Sequence, residues 1–580
     1  MPTTTTQNNL VKLSLLAILI GLVTGAGAIF FRMLISLIHN AFFLGVLSIH
    51  ENGDQLTPVG AWGPWIILAP VIGGLGVVFL VNTFAPEARG HGVPEVMDAI
   101  YYREGRIRPV VAVVKSFASA LSIGSGAAVG REGPIIQIGS SFGSSLGQWL
   151  GLLPWQRITL LASGAGAGIA ATFNPPLGGV MFAIELMMPE VSARTFLPVV
   201  LATGTATYIG RLFFGMDPAF VVSAMAMPET EPLNLVRLGG FVALGLLCGL
   251  GAFAFVRLLS LLEDWFPKLP VGPYAQHALG MGLVGAMMYG LSQTYGHYFI
   301  EGVGYATIQG ILDGQFAALS LLAVLFAAKL LATTISLGSG ASGGIFSPSL
   351  FLGSALGGLL GAGLGQIWPD AGFGVAEYAV VGMAAMVGGA TGAAMTAIVM
   401  IFEMTRDYHI IVPMIVAVAL AIGVRRVLSA ENIYTIKLAA RGRHIPKERH
   451  INMFLVRHAN EVMDPHFALA PAGGEGEDAR TGPDDSEPAP KFVVLHDGDH
   501  ITGVLPRDRY RADSQAPPSE CSFVLARPND ILHDVLKRLG HSSARIALVV
   551  SGEGIPRTGD IQGVIALDHV GQEVLQHFRG

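Results

Sequence analysis

From Leu10 to about Leu428 the chain is a succession of apolar segments, placed near 12–46, 62–83, 109–123, 134–152, 157–188, 195–215, 234–262, 275–295, 317–336, 348–367, 376–404 and 410–428. A perpendicular helix needs about 20 residues to cross a ~30 Å hydrocarbon core. Several segments are shorter than that or are interrupted by Gly and Pro, which predicts half-helices ending at mid-depth. In lipid every backbone polar group must be satisfied internally, so such breaks survive only where they are buried in protein or line a polar pathway. Charged residues make up 13% of the chain, about half the roughly 25% of a soluble domain, and this excludes an ordinary soluble enzyme. The 75 glycines lie largely inside the apolar runs, where membrane helices tolerate them. The fold class that follows is an all-α polytopic membrane protein.

Composition changes near residue 440, dividing the chain into a transmembrane part, 1–440, and a soluble part, 441–580. Met1 to Asn9 is polar and the apolar run after it has no evident cleavage site, so it reads as a retained first helix. Arg425, Arg426, Lys437, Arg441, Arg443, Lys447 and Arg449 follow the last apolar segment, and the positive-inside rule then places the C-terminal part in the cytosol. With 35 basic and 41 acidic residues the formal charge is -6, which offers nothing to a nucleic acid. Cys248 and Cys521 lie in unlike segments and suggest neither a disulfide nor a metal site.

An internal repeat is visible in the membrane part. Gly124-Ser125-Gly126-Ala127, Gly130, Pro134, Gly139 and Ser140 recur at a constant offset of 214 as Gly338-Ser339-Gly340-Ala341, Gly344, Pro348, Gly353 and Ser354. Phe182-Ala183-Ile184-Glu185 loosely matches Ile401-Phe402-Glu403. Duplicated halves with corresponding broken helices point to a transport site at their interface, without revealing whether the halves are inverted.

Four places combine Gly or a small turn with Pro in what reads as a first helical turn: Gly90-His91-Gly92-Val93-Pro94, Gly130-Arg131-Glu132-Gly133-Pro134, Asn174-Pro175-Pro176 and Gly344-Ile345-Phe346-Ser347-Pro348. Proline is preorganised for a helix start, and glycine lets the preceding backbone turn sharply. If such ends converge, their unpaired N–H groups form an anion site without a formal cation, binding softly enough to release. The alternative is that these residues merely kink membrane helices. Glu132 is a carboxylate in an apolar, glycine-rich segment and is by default a functional residue. Ionised, it would occupy an anion position; protonated, it would vacate it.

The motifs Gly90–Pro94, Gly130–Pro134 and Gly344–Pro348 together resemble the three signature segments of the CLC family of chloride channels and chloride/proton exchangers, and the likeness spans roughly residues 10–440. The resemblance implies a homodimer with one pore per subunit, set in membrane lipid, each pore built from two inverted halves with broken and re-entrant helices. It makes Glu132 the external gating glutamate. The amides of Ile345 and Phe346 would bind a central anion, those around Arg131, Glu132 and Gly133 an outer one, and the Tyr434 hydroxyl would touch the central ion. Two departures stand out. The family's chloride-coordinating serine falls at His91, which either donates an imidazole N–H to the anion or points aside. The internal proton-transfer glutamate falls at Leu186, beside Glu185; Leu cannot carry a proton, and Glu185 is either a structural cap or a substitute relay.

Passive or gated chloride transport is the expectation on this ground, with proton-coupled chloride/proton antiport as the alternative. A secondary transporter for another substrate would place more carboxylates at the motifs, and an intramembrane enzyme lacks a nucleophile or metal-ligand set. For a bacterial source the expected location is the inner membrane. The segment after about 452 resembles a degenerate pair of cystathionine-β-synthase-type (CBS) motifs, a small α/β domain interrupted by a Gly-, Pro- and acid-rich insert, Gly473 to Pro490. Asp508 and Asp568 fall at that motif's ribose-binding position, beside Pro506 and Ala566 where a hydroxyl residue is usual. An adenine nucleotide and a ligand-free regulatory module both remain open, and no other cofactor or metal is expected.

Overall fold

The computed structural model describes residues 4–50, 55–60, 62–222, 235–446, 456–472, 490–512, 522–542, 544–552, 556–568 and 570–571. Lys447, Arg449, Cys521 and positions 473–489 of the insert lie outside the described residues. The chain divides into two compact units, Met1–Ile445 and Pro446–Gly580. The first unit runs on past residue 440 because Arg441 pairs with Glu95 at 2.9 Å, Arg443 pairs with Asp98, and the Tyr102 hydroxyl donates to the His444 carbonyl at 2.7 Å.

Among its described residues the first unit is helical apart from turns and two isolated bridges. Seven helical segments among the described residues are long and apolar enough to cross a bilayer: Leu10–Leu44, Gly63–Phe84, Ala193–Phe214, Val236–Lys268, Leu319–Ser339, Phe346–Ile367 and Ile411–Leu428. Two apolar stretches are broken in corresponding places, the first at the expected Asn174-Pro175-Pro176 start and the second where none was expected. The 157–188 stretch splits into Pro154–Phe173 and Pro176–Phe182 about Asn174, which sits at φ 71°; 376–404 splits into Val375–Thr391 and Ala394–Thr405 about Gly392, at φ 74°. Each break leaves a helix start without its own preceding turn. The two halves supply the missing acceptors to each other. Glu185 accepts from the Met395 and Thr396 amides at 3.3 and 2.8 Å and from the Thr396 hydroxyl at 2.7 Å, while Glu403 accepts from the Leu177 and Gly178 amides at 3.2 and 2.7 Å. A carboxylate at a helix N-terminus answers both the orphan N–H groups and the dipole.

Packing follows the same duplication. Helix Glu132–Trp149 lies on Pro154–Phe173 with Gly139 and Gly164 meeting backbone to backbone, and Phe346–Ile367 lies on Val375–Thr391 with Gly353 and Gly382 doing the same. At each of these glycines an added Cβ would strike the partner's carbonyl oxygen. Bringing backbones this close is how helices associate where lipid removes the hydrophobic drive between them.

The second unit holds two matching three-stranded sheets. In the first, β1 (Phe467–Pro471) runs parallel to β2 (Phe492–Asp497), which pairs antiparallel with β3 (His500–Pro506); β4 (Phe523–Ala526), β5 (Ile546–Val550) and β6 (Ile561–Ala566) repeat that order and those directions. Phe492, Val494 and Val504 of one sheet bury against Ile546, Leu548, Val550 and Val564 of the other.

The glycine contacts yield a direct test. Gly353→Val should lower the thermal midpoint of detergent-solubilised protein by the equivalent of about 1–3 kcal/mol or more, the usual cost of overpacking. Gly204→Ala, where no atom lies within 4 Å of the added carbon, should leave it unchanged. Equal midpoints for the two variants would refute the packing argument.

Candidate functional site

Three of the helix starts expected from the sequence converge. Helix Val93–Tyr102 begins after Gly92, Glu132–Trp149 after Arg131, and Phe346–Ile367 after Ile345; none receives a side-chain cap from its own N-cap residue. Their loops are stitched by backbone hydrogen bonds. The Gly130 amide donates to the Gly344 carbonyl at 2.8 Å and the Gly344 amide returns the bond at 2.5 Å; the Gly90 amide donates to Ala341 at 3.1 Å, and the Gly343 amide to Gly90 at 3.3 Å. Gly92 packs against Gly133, and Gly344 against Gly133, so closely that a Cβ at position 92 or 344 would lie 3.0 or 2.6 Å from the facing backbone. Gly92 also sits at φ 81°, where a side chain is strained. The Pro94, Pro134 and Pro348 rings fall inside the first turns, where a missing N–H costs no helical bond. The fourth start, Pro176–Phe182, lies elsewhere, capped by Glu403.

Glu132 is fully buried. Its carboxylate crosses to the other half and lies on the start of helix Phe346–Ile367: Oε2 accepts from the Ser347 amide at 3.2 Å, and Oε1 accepts from the Ser347 hydroxyl. The Tyr305 hydroxyl also donates to Oε1, at 2.7 Å. The carboxylate therefore sits where the dipole and donors of a helix N-terminus would receive a free anion. Gly130 leaves the room for it, since a Cβ there would collide with Oε2.

His91 is 1% exposed, and neither ring nitrogen has a hydrogen-bond partner among the described residues. The ring faces that of buried Tyr434 at a centroid distance of 5.9 Å, and Tyr434 is held by the Asn432 side chain, whose Oδ1 accepts from the Tyr434 and Thr435 amides at 2.9 Å each. Leu186 is buried in the short π-helical segment Ala183–Met187. Its neighbour Glu185 is engaged in the cap at Met395 and Thr396. Two recesses approach the buried stretch. One of about 240 Å³ touches Arg131, Phe173 and Tyr305; another of about 370 Å³ touches Gly90, Glu95 and Lys437. Glu132 and the His91–Tyr434 pair lie on neither lining.

Three further residues escaped the sequence reading. Lys115 and Lys329 are fully buried, and each ammonium donates to two loop carbonyls: Lys115 to Ala88 and Gly90 at 2.9 and 2.7 Å, Lys329 to Ile300 and Gly302 at 2.9 and 2.8 Å. The lysines share the 214 offset of the motifs, and an ionisable residue in an apolar segment was the available signal. Cations are thus present, turned toward the loops from behind. The third is Tyr305, first residue of helix Tyr305–Leu312, whose Gly302-Val303-Gly304 approach repeats Gly90-His91-Gly92.

In the second unit Asp508 stands in the short helix Arg507–Ala512 after β3, and Asp568 stands just after β6. Both are exposed; Asp568 lies 3.8 Å from the exposed Arg545. The repeated strand order makes their positions equivalent.

A family model described as voltage gated chloride channel matches residues 73–426. Among curated proteins, the H(+)/Cl(-) exchange transporter ClcA of Yersinia pseudotuberculosis is 31% identical over 432 residues, 73% of this chain and 87% of the relative. The protein of the same name in Vibrio cholerae is 32% identical over 431 residues, 72% and 87%. Among solved structures, a slow cyanobacterial Cl-/H+ antiporter matches with a TM-score of 0.63 at 27% identity over 74% of this chain and 97% of that one. A eukaryotic CLC transporter matches with a TM-score of 0.63 at 20% identity over 97% and 98%, a likeness of fold. The matched segment, the converging helix starts and the apolar spans together make this chain a multi-pass integral membrane protein of the CLC family.

Proposed function

We propose that this protein exchanges chloride for protons across a membrane, with Glu132 serving as both gate and proton carrier. The observation that carries the reading is the Glu132 carboxylate lying on the Ser347 amide and hydroxyl. An ionised carboxylate in that position excludes an anion, and protonation cancels its attraction to the helix start and frees the place for chloride. The names of the Yersinia and Vibrio relatives and of the cyanobacterial structure support exchange over the simple channel expected from the sequence. In this reading the amides of Ile345 and Phe346, the Tyr434 hydroxyl and a neutral His91 N–H surround the inner anion. That neither imidazole nitrogen has a partner among the described residues supports its donor role. The protein works as a homodimer with a pathway in each subunit, in the inner membrane of a bacterial source, and carries its second unit in the cytosol as a regulatory module.

Leu186 favours a second reading, passive conduction gated by Glu132, because no carboxyl stands at that position to pass a proton inward. Reversal potentials of purified protein in liposomes under a pH gradient separate the two. Exchange requires the potential to follow the proton gradient, and independence from it would leave a gated channel.

Two variants extend the test. Glu132→Gln should abolish proton movement and flatten the pH response of chloride flux while flux persists; a wild-type pH response would remove Glu132 from the mechanism. His91→Ala should weaken chloride binding roughly two- to tenfold by calorimetry, the worth of one neutral hydrogen bond. Unchanged affinity would mean the imidazole does not touch the ion.

A further inference from the structure

We infer that Tyr305 is a positioning residue for the gate: its hydroxyl holds the ionised Glu132 carboxylate in the anion path and thereby sets the pH at which the path opens. The inference rests on the reading of Glu132 as gate and adds to it a donor from the second half of the molecule.

The geometry is specific. The Tyr305 hydroxyl lies 2.7 Å from Glu132 Oε1 and 3.0 Å from Ser347 Oγ, so both hydroxyls converge on one carboxylate oxygen. The ring is fixed on several sides. The Arg131 guanidinium lies 4.9 Å from its centroid, and the Phe220 and Phe173 rings lie 5.3 and 6.1 Å away. Backbone position is fixed too. Gly304 turns the chain at φ 83°, and Lys329 grips the Ile300 and Gly302 carbonyls immediately upstream. A donor held this rigidly loses little entropy when it bonds.

The arrangement also explains how the carboxylate can leave. A buried hydroxyl deprived of its acceptor costs on the order of 1–3 kcal/mol. Here the two hydroxyls are already 3.0 Å apart and can satisfy each other by rotation once Glu132 departs. The Glu132 carboxylate is thus held in place without orphaning its donors once it leaves. The charged and titratable groups facing the pair are Arg131 from the same loop, Lys329 from helix Leu319–Ser339 with Glu301 beside it, and Tyr434.

A hydrogen bond donated to the ionised form favours that form, so its loss lets protonation win at a higher pH. Tyr305→Phe keeps the ring and removes only the donor. In liposome flux assays across pH, its activation midpoint should lie about one unit above wild type, a tenfold change in proton activity. Ser347→Ala, which deletes the companion hydroxyl without touching the ring, should shift in the same direction. Added to Glu132→Gln, Tyr305→Phe should produce no further change in the pH response. Wild-type midpoints in both hydroxyl variants, with a flat Glu132→Gln, would overturn the role of Tyr305 and leave the gate intact. A wild-type pH response in Glu132→Gln would instead overturn the gate, and the Tyr305 role with it.

Discussion

Helix N-termini buried where water is scarce must find negative partners, and that requirement organises the membrane unit. Each broken helix exposes amides that cannot be left unpaired without a cost of about 1–3 kcal/mol apiece. The chain meets the demand with three glutamates, each reaching across to a helix of the opposite half: Glu185 to Ala394–Thr405, Glu403 to Pro176–Phe182, and Glu132 to Phe346–Ile367. The donors around them differ. Glu185 and Glu403 each accept from two backbone amides, which are fixed in direction, and Glu185 also from the single hydroxyl of Thr396. Glu132 accepts from one amide and two hydroxyls, which can turn toward each other. The same electrostatic device is therefore a permanent cap in two places and, in the proposed mechanism, a releasable one in the third.

Cohesion between the loops matters as much as their charge. Gly130 and Gly344 exchange backbone hydrogen bonds, Gly90 bonds to Ala341 and Gly343, and Gly92, Gly133 and Gly344 approach so closely that no side chain fits between them. The glycines thus serve the convergence of the helix starts, and the Gly139–Gly164 and Gly353–Gly382 contacts keep the helices behind them in register.

Much of this was legible in the chain. The 214-residue offset exposed the duplication, and Gly-Pro pairs located three convergent helix starts, because backbone conformation at a helix N-terminus is dictated locally. Glu132 was legible as a candidate because an acid in an apolar segment is costly to bury and rare without a functional role. Missing from the reading was the helix Tyr305–Leu312, too short for a hydropathy window, while Val93–Tyr102 was legible only as a start, its Glu95 and Asp98 keeping it out of the apolar segments. The break at Gly392 was missed as well, since a lone glycine inside an apolar run signals nothing by itself. Tyr305 was invisible for a different reason. Its meaning lies in a contact between residues 173 positions apart, which only the fold creates.

The buried lysines refine the idea that peptide dipoles alone hold the ion. A unit charge in contact with an anion at ~4 Å is worth about 4 kcal/mol at an effective dielectric of ~20, and half that at twice the distance. Direct contact would hold a dehydrated halide too firmly for turnover, whereas conduction needs binding that replaces water and still releases. Lys115 and Lys329 instead direct their protons to the carbonyls of Ala88, Gly90, Ile300 and Gly302. They fix the loops that carry His91 and Tyr305 and lend the region a positive potential from behind. In the proposed mechanism the anion itself is left to amides, hydroxyls and an imidazole, groups whose individual bonds are weak enough to break in sequence.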